Sequence, residues 1–265
     1  VTGAGVTGAR VASRAELMVD QAVSGFARAI ETLGAVTPSG SAQRFGDAVA
    51  VTTGAKLASL NYVMAMGRTP TKDDVVAAAS ALRATGLPWG MEFRTDPGPE
   101  ITELAAGLGL HTLSRPVFMV AAADDLVLGE TSRVGVEAVG ADRWEEYTRV
   151  LTQGFETPEG VFGTLMGGPV LDVPGFTGYL AFSDEGTAVG TGMATITEDG
   201  ALSVFNIAVV PSARGRGVGR ALTGTALEDG LDRGARVACL QTSAMGRPLY
   251  ESLGLREAEA WYTFG

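Results

Sequence analysis

The segment "VVPSARGRGVGRAL", residues 209–222, restricts the possible folds more than any other part of the chain. It follows an apolar strand-like run and leads into a helical pattern. Residues 214–220 alone hold three glycines and three arginines, in a chain whose formal net charge is −10. Glycines let backbone amides come close to an anion, and a helix N-terminus adds partial positive charge. The pattern therefore points to a phosphate-rich anion held at a strand–loop–helix junction.

The second half of the chain surrounds this junction with a readable order of elements. "VGVEAV" (134–139) reads as a strand. In the stretch that follows, Trp144, Tyr147, Val150 and Leu151 recur at helical spacing, and a second short helix is expected over 158–166. "FTGYLAFSD", "TAVGTGMATIT" and "ALSVFNIAVV" alternate as strands separated by the turn signals "SDEG" and "EDG", which predicts an antiparallel meander. The helix after the glycine loop carries an apolar stripe of Val218, Leu222, Ala226, Leu227 and Leu231 and stops at Gly234. Gly224 and Gly230 each cost that helix about 1 kcal/mol relative to alanine, so it must lean on tertiary packing. A buried strand, "ARVACLQTS", a short helix, "GRPLYESLG", and a final pair of strands complete the order.

The first half carries a worn copy. "EITELAAGLGL" (100–110) overlays "GRPLYESLGL" (246–255), with Leu104 on Leu249, Ala105 on Tyr250, Gly109 on Gly254 and Leu110 on Leu255. "KLASLNYVMAMG" resembles the strand that should precede a glycine-rich loop, but "RTPTKDDVV" follows it. There Thr71 and Asp74 are expected to form a capping box, in which side chains satisfy the helix's first amides. A boundary is expected near residue 130, within "AADDLVLGETSR". A formal G-x-G-x-x-G at Gly3, Gly5 and Gly8 lacks the preceding strand that gives that pattern its meaning and reads as an N-terminal tail.

Residue usage excludes several chemistries. Cys239 is the only cysteine and His111 the only histidine, which removes disulfide frameworks, Cys/His metal sites and Ser-His-Asp or Cys-His catalysis within one chain. Cys239 is expected as a buried, inert thiol and His111 as a half-buried, satisfied residue. The acidic balance argues against a nucleic-acid binder and suits a small cationic partner. No apolar run approaches the roughly 20 residues that span a bilayer, and the start of the sequence has no signal-like hydrophobic segment. A cytoplasmic protein with no membrane partner is expected, and the preference for arginine over lysine points to a bacterial source.

Arg214, Gly217 and Gly219 satisfy the pattern Q/R-x-x-G-x-G/A, and Leu249, Tyr250 and Gly254 follow in "LYESLGL". With this strand order, residues 131–265 resemble an N-acyltransferase domain of the GNAT superfamily. The resemblance implies an α/β fold with a mixed sheet and two tandem GNAT-like domains: a degenerate one at 1–130 lacking the coenzyme A loop, and a catalytic one at 131–265. It implies that Arg214, Gly215, Arg216, Gly217, Val218, Gly219 and Arg220 wrap the pyrophosphate of acetyl-CoA. It implies further that the backbone of Ile207, Ala208 and Val209 pairs with the pantetheine arm and polarises the thioester carbonyl, and that Tyr250 protonates the departing thiolate. No metal is implied.

The implied reaction is acetyl transfer to a primary amine of a small molecule, by a monomer or homodimer. A non-catalytic acyl-CoA-binding or sensing protein and a GNAT-fold enzyme using a longer acyl-CoA are the alternatives. The general base stays open. Many relatives carry a glutamate early in the strand before the loop, where this chain has Ser203 and Asn206; water held by either, or a carboxylate such as Glu156 or Glu159, could serve, while Glu198 reads as solvated. The first half is expected to pack on the second as an intrachain counterpart of a GNAT dimer and to wall the acceptor pocket with Trp89, Glu92 and Arg94.

Overall fold

Ser13 opens the first helix with a reciprocal capping box: its side chain accepts from the Glu16 amide, and the Glu16 carboxylate accepts from the Ser13 amide at 2.7 Å. A computed structural model describes residues 12–129 and 134–265. The boundary expected at 130/131 and the glycines at 3, 5 and 8 lie outside the described residues.

The first half contains α1 (Arg14–Val36), β1 (Ser41–Phe45), β2 (Ala48–Thr52), β3 (Tyr62–Ala65), α2 (Lys72–Ala84), β4 (Gly90–Phe93), α3 (Gly98–Gly107), β5 (Thr112–Ser114) and β6 (Val117–Ala122). The second contains β7 (Gly135–Val139), α4 (Trp144–Phe155), α5 (Val161–Met166), β8 (Phe176–Phe182), β9 (Ala188–Ile196), β10 (Ala201–Val209), α6 (Val218–Asp232), β11 (Val237–Thr242), α7 (Arg247–Ser252), β12 (Arg256–Ala260) and β13 (Tyr262–Phe264). The fold is mixed α/β. The patterns of the second half are realised as expected, with the stripe of α6 in the core and Gly230 pressed against Leu202, where any side chain would collide. The sequence patterns assign nothing to α1, although its capping box is legible at Ser13 and Glu16.

Two sheets form, in the orders β1-β2-β3-β4-β13-β5 and β7-β8-β9-β10-β11-β6-β12. Apart from the added β7 they repeat one plan: three antiparallel strands, one parallel step (β3 to β4, β10 to β11), then two antiparallel strands. The last strand of each half crosses to the other sheet. β6 fills the place between β11 and β12, and β13 fills the place between β4 and β5. A strand inserted between two others pairs along both edges, so each half supplies ladder bonds that the other cannot make alone.

Buried aromatics fix the exchange. Trp261, between β12 and β13, is fully buried; it stacks on Phe118 of β6 with centroids 4.5 Å apart and meets the edge of Phe26 of α1. Burying rings of this size contributes about 1.5–3 kcal/mol each. α1 lies across both sheets, with Ala27 against Val49 and Val51 of one and Ala22, Phe26 and Gly25 against β10 and β11 of the other.

Candidate functional site

The parallel step is closed in one half and open in the other. β3 and β4 pair from Tyr62/Gly90 through Ala65/Phe93, and the Arg94 amide still reaches the Ala65 carbonyl. β10 and β11 pair only from Ala201/Val237 through Ser203/Cys239. Beyond Ser203 the strands part. Ala208 and Val209 sit opposite Thr191 and Gly190 of β9, and on the side away from β9 the segment 207–209 has no paired strand among the described residues, although the Val209 carbonyl accepts from Arg214.

A bulge marks the point of separation. The register of β10 against β9 shifts between Phe205 and Ala208, and Asn206 adopts φ 54°, a left-handed conformation that asparagine tolerates better than most residues. The Thr191 hydroxyl donates to the Asn206 carbonyl at 2.9 Å, and the Tyr147 hydroxyl donates to the Gly192 carbonyl at 3.1 Å. Burial drives the Tyr147 phenol upward, so it is a donor throughout the physiological range.

At the end of β10 the chain enters the glycine loop. Gly215 (φ 74°) and Gly217 (φ 83°) take conformations that side chains disfavour, and an added Cβ at either would point into open space. Gly217 caps α6 with no side-chain hydrogen bond. Among the described residues the amides of 215–220 meet no acceptor, and residues 214–217 are exposed. A row of unsatisfied N–H groups at a helix N-terminus is an anion cradle.

The arginines divide between two tasks. Arg214 Nε donates to the Val209 carbonyl (3.1 Å), while its Nη2 donates to the Gly154 carbonyl (2.8 Å) and the Glu156 carboxylate (2.9 Å). It ties the loop to the end of α4. Arg216 is exposed, and Arg220 donates to the Ser252 hydroxyl at one wall of a cavity of about 360 Å³ that also holds Gly217 and Glu228.

α7 brings Tyr250 up to the loop, because Leu249 packs against Gly219 in the first turn of α6. Tyr250 is 8% exposed, burial pushes its phenol up to about 12, and its hydroxyl meets no partner among the described residues. Gly246 is the residue sequence reasoning missed here: a Cβ there would stand 3.0 Å from the Tyr250 ring and 2.7 Å from the Thr242 hydroxyl.

Several expectations are corrected. Ser203 is fully buried with its hydroxyl 3.3 Å from Cys239 Sγ, so it holds no water at a reacting centre. Asn206 Nδ2 points to Met166 Sδ at 3.8 Å. Glu156 is engaged by Arg214, and Glu159 lines a groove of about 590 Å³ between α4 and α5 together with Glu145 and Trp144. His111 is exposed rather than half-buried. Cys239, by contrast, is buried as expected, with its thiol pushed up to about 12 by desolvation.

In the first half the capping box of Thr71 and Asp74 does not form. Asp74 accepts instead from the Asp47 amide in the turn between β1 and β2. Asp73 and Asp74 thus put two carboxylates in the first turn of α2, where α6 has none. Trp89 is half-buried against the first-half core, while Glu92 and Arg94 face the joint between the halves. Arg94, 5% exposed, forms ion pairs with Asp20 of α1 and Glu259 of β12.

Residues 139–255 match the model of the acetyltransferase (GNAT) family. No curated protein matches the sequence. Among solved structures, a GCN5-related N-acetyltransferase from Kribbella flavida is similar with TM-score 0.65 and 20% identity over 95% of this chain and 94% of that one. A GCN5-related N-acetyltransferase from Sphaerobacter thermophilus gives TM-score 0.55 and 16% identity over 93% and 92%. A conserved protein of unknown function from Staphylococcus epidermidis gives 0.59 and 14% over 84% and 93%. At these identities the likeness is one of fold, and it extends over both halves of the chain.

Proposed function

We propose that the chain transfers an acetyl group from acetyl-CoA to a primary amine of a small molecule with the site of its second half, whose residues 139–255 match the acetyltransferase (GNAT) family model. The carrying observation is the row of open amides at 215–220 beside the unpaired edge of β10. These residues fit the group: positive-φ glycines with no neighbour within 4 Å leave room for phosphates, and the helix dipole favours negative charge. Bound acetyl-CoA supplies an activated thioester.

The rest of the reading concerns what this chain's residues do. The amides of 215–220 bind phosphate oxygens, with Arg216 and Arg220 adding charge, while Arg214 holds the loop in shape through Gly154 and Glu156. The backbone of Ile207, Ala208 and Val209, apart from the Val209 carbonyl held by Arg214, pairs with the pantetheine amides, and one N–H there polarises the acyl carbonyl. Tyr250 is protonated at every physiological pH. With its phenol near 12 and a thiol near 8.5, full proton transfer to sulfur costs about 5 kcal/mol at first, so the hydroxyl acts as a hydrogen-bond donor to charge developing there. Glu145 and Glu159 give the neighbouring groove an acidic character that attracts an ammonium acceptor, Glu156 there being paired with Arg214.

The first half, in this reading, is support. Its parallel pair is closed and its helix start carries carboxylates, so it offers neither gap nor cradle. Calorimetry with CoA should give one site per chain; a stoichiometry of two would overturn this division. Gly217→Val should abolish binding, since a β-branched residue resists φ 83°. Tyr250→Phe should leave CoA affinity intact and lower kcat about 10²-fold where chemistry limits; an unchanged kcat would remove Tyr250 from catalysis.

A further inference from the structure

Glu92 and Gln241 occupy equivalent places in the two halves. Glu92 pairs with Thr263 of β13, Gln241 pairs with Phe118 of β6, and the spacing that relates Leu110 to Leu255 also relates Phe118 to Thr263. The two side chains meet, with Gln241 Nε2 donating to Glu92 Oε1 at 2.6 Å. A neutral amide and a carboxylate therefore hold matching positions in the two halves. The amide shows that the joint does not need a charge there.

The charge is also uncompensated. Glu92 is 7% exposed, and among the described residues it has no ion pair and no hydrogen bond beyond that from Gln241. Its carboxyl is pushed up to about 7, with desolvation as the main cause and the Gln241 bond opposing it. Both residues line a cavity of about 250 Å³ on the face of β3 and β4 opposite α2, with Tyr62, Ser59, Pro116 and Phe264 around it. Burial and the Glu92 charge raise the Tyr62 phenol well above its ordinary value, so it faces the cavity as a neutral hydroxyl. The lining includes nothing from β10 or the glycine loop.

We propose that this cavity is a binding site for a small organic primary ammonium ion, held by the Glu92 carboxylate, the Tyr62 hydroxyl and the Gln241 side-chain carbonyl, with its apolar body against Pro116. An ammonium group has three donors, and this corner offers three acceptors. At about 30 Å³ per water the cavity would otherwise hold about eight, enough room for a ligand of similar heavy-atom count. A buried carboxylate without a cation is costly, and a bound ammonium removes that cost. The site goes beyond acetyl transfer and does not depend on it.

The test uses the full chain without CoA at pH 8, with benzylamine as probe and benzyl alcohol as its neutral counterpart. Calorimetry should give one benzylamine site per chain and no detectable binding of benzyl alcohol. Glu92→Gln should weaken benzylamine at least about tenfold, as expected on losing a charge-assisted bond, while its affinity for CoA stays at the wild-type value. Tyr62→Phe should weaken benzylamine by a smaller factor. Equal binding to wild type and Glu92→Gln, equal binding of amine and alcohol, or no benzylamine binding would each overturn the proposal. Because CoA binding is read separately, its failure would bear on the transferase reading and not on this one.

Discussion

Replacing Glu92 by glutamine should stabilise the protein in a way that depends on pH. The folded chain holds this carboxyl at about 7 against an ordinary value of 4.5, because burial penalises the anion more than the Gln241 bond helps it. The folded state thus binds the proton more tightly than the unfolded state does. The stability this proton contributes is complete below pH 4.5 and is lost as the pH rises to 7. The difference between the two values corresponds to about 3 kcal/mol. Glutamine keeps an oxygen in place to accept from Gln241 and carries no charge, so the variant should suffer no such loss. Its advantage over the wild type should be small at pH 5 and reach about 3 kcal/mol at pH 8. For a chain of this size that is about 5–10 °C in Tm. Scanning calorimetry of both proteins at pH 5, 6.5 and 8 measures the trend. A Tm difference that stays constant across this range would refute the reasoning, because it would mean that Glu92 does not titrate between these limits.

Gly246→Ala should lower kcat while leaving CoA affinity unchanged, since the new methyl presses on the Tyr250 ring and the Thr242 hydroxyl and touches no part of the glycine loop; steady-state kinetics beside calorimetry distinguish the two effects. Trp261→Ala should cost about 3–5 kcal/mol in chemical denaturation, because it removes a fully buried ring stacked on Phe118 where the two sheets exchange strands. A fragment covering residues 134–265 should fail to fold alone, since it lacks β6 and leaves β11 and β12 without their shared neighbour; a cooperative unfolding transition from that fragment would contradict this.

Local chemistry was enough to read much of the molecule from its sequence. The helix stripe at Val218, Leu222 and Leu227, the turns between β8, β9 and β10, and the stop at Gly234 all depend on neighbours within one element, so their periodicity carries the information. The same holds for the glycine loop: the open amides at 215–220 follow from glycines before a helix without a side-chain cap, and both are written in consecutive residues. What only the tertiary structure decided is every pairing between distant residues. That β6 and β13 change sheets is invisible in their apolar runs, because a strand's hydrophobic pattern specifies a buried face and not which edge it will join. Opening of β10 from β11 beside closure of β3 on β4 is likewise a matter of register and of one bulge at Asn206. Thr71 and Asp74 spell a capping box, yet Asp74 is taken by the Asp47 amide from another turn. Glu92, an ordinary glutamate in sequence, becomes a buried acid only because the two halves close over it, and solvation, which sets its charge, is a property of the assembled fold.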